Sequence, residues 1–152
     1  MQRYIEMKQR GSVTAETMII LPVLLLLFVG IGEVGRALMH YNTLAKGVRD
    51  GARYLATNAL DDFTNVIDVT TTMEDEAKNL ARYGNIAGNG ATLLPNYTAG
   101  QLSLDVPDAQ HVTLIADYQY VPAVFTTLPT FGFGSDISMA FTMQASVTMR
   151  AL

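Results

Sequence analysis

Cysteine is absent from the 152 residues, which excludes thiol catalysis, disulfides and cysteine-ligated metal sites without fixing a redox compartment. Histidine occurs only at His40 and His111. Neither has the repeated spacing of a metal site or a catalytic dyad, so each reads as a surface or edge residue. No serine stands in a G-x-S-x-G context, so the turn that presents a hydrolase nucleophile is missing as well. The expectation is a protein that is not an enzyme and takes no cofactor and no metal. Excess positive charge is lacking from most of the chain. Beyond residue 11 there are 7 basic and 13 acidic residues, a net of −6. A body of that sign does not bind nucleic acid by neutralising phosphates.

Charge is scarcest between Ser12 and Gly32, where Glu16 is the single ionisable side chain in 21 residues. As a helix this stretch is about 31 Å long, roughly one hydrocarbon thickness. A carboxylate at bilayer depth costs about 2.5–3.5 kcal/mol, so Glu16 either lies in the headgroup layer or has a function. Ahead of it, residues 1–11 carry Arg3, Lys8 and Arg10 against Glu6, a net of +2. That bias keeps the N-terminus in the cytoplasm and sends the acidic body across the membrane. Two other readings compete. A conventional signal peptidase would cut after the small-x-small triplet Gly30-Ile31-Gly32 and release a soluble product. Against it stand Glu16 at the edge of the apolar run, Pro22 within it, and a helical pattern continuing straight through the site. An uncleaved signal anchor carrying an extracytoplasmic binding module is the other.

Beyond Gly32 the pattern turns amphipathic. Ile31, Val34, Leu38, Tyr41, Ala45, Val48, Ala52, Leu55 and Ala59 recur at alternating intervals of 3 and 4, a heptad stripe. One helix is therefore expected from about 14 to 58, roughly 65 Å long, with a kink at Pro22. The stripe packs either on the protein's own sheet or against neighbouring subunits, and both can hold along different parts of the helix. Gly47 and Gly51 form a small-x-x-x-small pair, each costing roughly 1 kcal/mol in helix propensity. Glu33 and Arg36, three apart, suit a surface ion pair. The formal G-x-G-x-x-G at residues 30–35 follows an apolar span rather than a strand and turn, so it is not a dinucleotide site.

Residues 59–72 read as a polar link. Thr71 with Glu74, or Thr72 with Asp75, reads as a capping box opening a helix over 73–83 that stops at Gly84. The cluster Glu74-Asp75-Glu76 complements the dipole of that helix start rather than holding a metal. Residues 85–100, rich in Gly, Asn, Thr and Pro, read as a loop. Strands are expected at 112–121 and, by clean alternation, at 137–150, with a weaker one at 102–106. The fold class that follows is α+β: a long N-terminal helix, membrane span continuing as amphipathic helix, packed on a small antiparallel sheet.

The order of basic leader, Gly11, Ser12, Glu16 and apolar run resembles the class III signal of type IV pilin precursors. In those, a membrane aspartyl peptidase cuts after the glycine, and a glutamate at the fifth mature position serves assembly. The segments Arg10–Glu16, Leu21–Leu27, Gly32–Arg36 and Arg49–Tyr54 together resemble the TadE-like family of pseudopilins from Flp/Tad pilus systems, with TadF-like and TadG-like relatives opening similarly. The resemblance implies a pilin-like fold and a minor pilin that helps to build a pilus. It implies cleavage between Gly11 and Ser12, and Glu16 as the assembly carboxylate. Expected partners are the inner membrane, a prepilin peptidase, other pilins and pilus assembly proteins. The corresponding division is a leader over 1–11, a transmembrane half-helix over 12–32 and an extracytoplasmic domain over 33–152.

Overall fold

A computed structural model describes residues 3–61, 66–130 and 134–152, with side chains from residue 13 onward. Helix α1 runs Arg3–Asn58 with Pro22 inside it, so the helix begins well before residue 14 and takes in residues 3–11. By its internal contacts the chain divides into two units, Met1–Arg36 with Pro122–Met139, and Ala37–Val121 with Ala140–Leu152.

The second unit holds the sheet. Strands β1 (Leu102–Asp108), β2 (His111–Tyr120) and β5 (Phe141–Arg150) form an antiparallel sheet in the order β1-β2-β5. In β2, Val112, Leu114, Ala116, Tyr118 and Tyr120 are buried on one face, and Thr113 is buried as well, so the alternation is broken at the start of the strand. Those on the one face meet Leu44, Val48, Ala52 and Leu55 from the C-terminal half of α1 in the core. On the opposite face, cross-strand polar pairs lace β2 to β5. These are Thr113 with Thr148, Asp117 with Gln144 and Gln119 with Thr142, each at 2.9 Å. The β1–β2 turn is closed by Asp108, which accepts from the Gln110 amide and faces His111 Nδ1, both at 2.8 Å. The Gln110 amide, and then His111, hold the Asp108 carboxyl below its usual range.

The alternating run at 137–150 is not one strand. Ile137–Ser138 is a separate short strand, β4, paired with β3 (Thr127–Leu128) in the first unit, and β5 starts only at Phe141. The ladder between β2 and β5 ends at Tyr120↔Phe141. Pro122, with no N–H to donate, follows closely and terminates the β2 side.

Helix α2 spans Thr71–Tyr83. Its N-cap is Thr70 rather than Thr71 or Thr72. Thr70 has extended backbone angles and accepts from the Met73 amide at 3.2 Å, whereas the two following threonines are already helical. Gly84 ends the helix as expected, in the left-handed region at φ 73°, with its amide on Leu80 O. Ala77 and Ala81 of α2 face Gly51 and Gly47 of α1. A Cβ on Gly47 would lie 2.5 Å from Ala81 O, and one on Gly51 would lie 2.7 Å from Ala77 O. The small-x-x-x-small pair thus lets two backbones touch. Glu74 and Glu76 are both engaged, Glu74 with Lys78 and Glu76 with the Tyr54 hydroxyl of α1. That hydrogen bond raises the Tyr54 phenol above its ordinary value.

The link after α1 carries an isolated bridge, Leu60↔Ile67; Asp62 lies outside the described residues. The 85–100 loop is pinned by buried Leu94 and Tyr97 and by the Tyr118 hydroxyl donating to Pro95 O at 3.0 Å.

The close approach of α1 and α2 predicts opposite signs for two glycine-to-alanine changes. Gly35 faces open space, so Gly35→Ala should leave thermal stability unchanged or raise it by about 1 kcal/mol. Gly47→Ala should lower it despite the same propensity gain, because overpacking costs about 1–3 kcal/mol. Thermal unfolding of the detergent-solubilised protein followed by circular dichroism checks both.

Candidate functional site

The N-terminal half of α1 is a helix whose apolar side chains have little protein around them. Met18, Ile19, Phe28 and Ile31 are 72%, 75%, 71% and 69% exposed. Burying such a surface in water-excluding surroundings is strongly favourable, at roughly 25 cal/mol per Å², and this chain does not bury it. Among the described residues α1 is the one helix long and apolar enough to cross a membrane, its best window having a mean hydropathy of 2.4.

The backbone is helical through Gly11 and Ser12, whose side chains lie outside those described. Glu16 stands on the same helix four residues after Ser12, about 6 Å along the axis, and its side chain is exposed. Residues four apart share one helix face, so the sequence register of Gly11, Ser12 and Glu16 becomes a spatial one. Thr17, the next residue, returns its hydroxyl one turn back to Val13 O at 2.8 Å, satisfying a polar group inside the apolar run.

The heptad stripe divides along its length. Val48, Ala52, Leu55 and Ala59 are buried, whereas Ile31, Val34, Leu38 and Tyr41 are exposed. The face of α1 that is covered near the apolar run is a different one, carrying Glu33 and Ala37.

Glu33 is the residue that the sequence placed wrongly. It is only 5% exposed, not a partner of Arg36 on an open surface. Its Oε1 accepts from the amides of Ala123 and Val124, at 2.9 and 3.0 Å. A carboxylate receiving two backbone N–H groups satisfies both itself and a turn that follows Pro122. The signal in the sequence was its position, the first charge after the apolar run; its partners lie 90 residues away. His40 is likewise only partly exposed, its ring 5.9 Å from Tyr118 and 5.4 Å from Tyr120, while His111 sits at the strand edge with Asp108. Among the described residues no three His, Asp or Glu side chains converge on one point.

Replacing Glu33 by Ala leaves two amides without their acceptor, a loss of about 1–3 kcal/mol. Hydrogen exchange at Ala123 and Val124 should accelerate by about tenfold or more, with exchange in β2 unchanged.

No curated protein and no solved structure matches the chain. The family model described as TadE-like protein matches residues 11–53. That span begins at Gly11, takes in Glu16, the apolar run and Glu33, and ends where α1 meets α2. The N-terminal segment of this chain is TadE-like.

Proposed function

We propose that this protein is a minor pilin of a Flp/Tad-type pilus, anchored in the bacterial inner membrane by α1. Residues 1–11 are a cytoplasmic leader, 12–32 the membrane span and 33–152 an extracytoplasmic domain. One observation carries the reading: within the TadE-like segment, an apolar helix that its own chain leaves uncovered bears a single carboxylate, Glu16, fifth in line from Ser12. A prepilin peptidase cuts between Gly11 and Ser12, leaving a new amine on Ser12 one helical turn from Glu16. That amine, on the same chain or a neighbour, neutralises a charge that is otherwise expensive at such depth, and sets the axial register between helices. The exposed Leu38 and Tyr41 of the stripe supply apolar surface for other pilins and pilus assembly proteins.

The intact mass of protein purified from its own cells should correspond to a chain starting at Ser12, and Gly11→Val should retain the leader. A mature chain starting at Glu33 would replace this reading with ordinary secretion, and one starting at Met1 in cells containing the peptidase would favour a permanent anchor.

Glu16→Ala should insert and still be cut, because insertion and cleavage depend on the leader, Gly11 and the apolar run. It should fail to restore piliation or to co-purify with partner pilins. Normal piliation from the Glu16→Ala gene in a deletion strain would reduce Glu16 to an interfacial bystander.

A further inference from the structure

Residues 122–139 leave the sheet after β2 and return before β5, with β3 paired to β4 and the Met139 amide donating to Thr126 O at 2.9 Å. In these 18 residues Asp136 is the single charge, and it accepts from the Thr130 amide at 3.2 Å. Val124 and Ile137 are 60% and 54% exposed. The excursion is hung on α1 at one height by the Glu33 carboxylate, through the amides of Ala123 and Val124. From there it runs toward the N-terminal end of the helix. Leu128, Pro129 and Met139 form one wall of an open groove of about 470 Å³, and Val23, Leu26, Leu27, Gly30, Ile31 and Val34 form the other.

The helix wall lies largely within the stretch assigned to the membrane, reaching nine residues, or about 14 Å, below Gly32. An element packed against that wall therefore shares its depth. We infer that the described parts of this excursion, residues 122–130 and 134–139, dip into the membrane leaflet distal to the N-terminus, where the groove between α1 and the wall of Leu128, Pro129 and Met139 holds a lipid acyl chain. The reading rests on the membrane anchoring proposed above. The groove spans Val23 to Val34, about 16 Å of helix axis, close to half of a hydrocarbon core of about 30 Å. Its lining is wholly apolar, and at bilayer depth the medium that fills an open apolar space is the lipid tail itself. Gly30 widens the groove, for nothing lies within 4 Å of where its Cβ would be.

The chain has no tryptophan, so single tryptophans report without background when the full chain is reconstituted into phosphatidylethanolamine–phosphatidylglycerol vesicles containing acyl-brominated lipid. Ile137→Trp should be quenched about as strongly as Leu24→Trp in the span, and Val124→Trp, held at the height of Glu33, less strongly but well above Thr57→Trp. Thr57→Trp, 25 residues past Gly32 and roughly 37 Å along the helix, should not be quenched. Adding Gly30→Leu, which fills the groove, should relieve quenching of Met139→Trp and leave that of Leu24→Trp unchanged. If Val124→Trp and Ile137→Trp behave like Thr57→Trp while Leu24→Trp is quenched, the inference fails and the anchor stands. If Leu24→Trp is also unquenched, the anchoring reading itself fails. Quenching of Met139→Trp that is insensitive to Gly30→Leu removes the lipid from the groove. Quenching there that is lost as protein is raised against lipid puts a second copy in its place.

Discussion

One continuous helix has to satisfy two surroundings, and the rest of the structure is arranged by where that change occurs. Toward its start, α1 carries large apolar side chains on every side and almost nothing of its own chain covers them. Toward its end the same helix contributes small residues and a narrow apolar face to a core made with β2, β5 and α2. An all-round apolar helix and a one-faced amphipathic helix are stable under different conditions, so the sequence changes character between Gly32 and Ala37. The first buried charge, Glu33, stands at that change.

Close packing around the second half follows from small side chains rather than from large ones. Gly47 and Gly51 bring the α1 backbone against Ala81 and Ala77, a contact that a single methyl group would obstruct. The same approach lets Leu44, Val48 and Leu55 reach the inner face of the sheet and be almost wholly buried. Glycine in mid-helix weakens the isolated helix, and here that weakness is offset by an interface no other residue would permit. By contrast, the glycines at 30, 32 and 35 meet no atom of this chain at the position of a Cβ. Intrachain packing does not explain them.

The apolar run has a carboxylate at each end, and the two are held differently. Glu16 remains exposed near the start of the helix, available to whatever lies beside it. Glu33 is consumed internally, its oxygen taken by two amides of the turn after Pro122. The chemical group is the same, and burial with backbone donors is what separates a structural clamp from an exposed carboxylate.

Much of this was legible in the residues. Apolar length set out the first half of the helix, the interval of 3 and 4 continued it to Asn58, Gly84 stopped α2, β-branched and aromatic content marked β2 and alternation marked β5, because each depends on local periodicity or backbone preference alone. Other features depended on partners distant in sequence. Glu33 and Arg36 have the spacing of a surface pair, yet Glu33 is buried because a turn 90 residues later places two N–H groups beside it. The 137–150 run alternates without interruption, yet it is divided because its first residues pair with Thr127–Leu128 and its later ones with β2. The heptad stripe is uniform as text, but only Ala45 onward is covered by the chain itself. Periodicity says which residues share a face; which surface meets that face, and whether one of this chain's own does so, is decided by the tertiary structure.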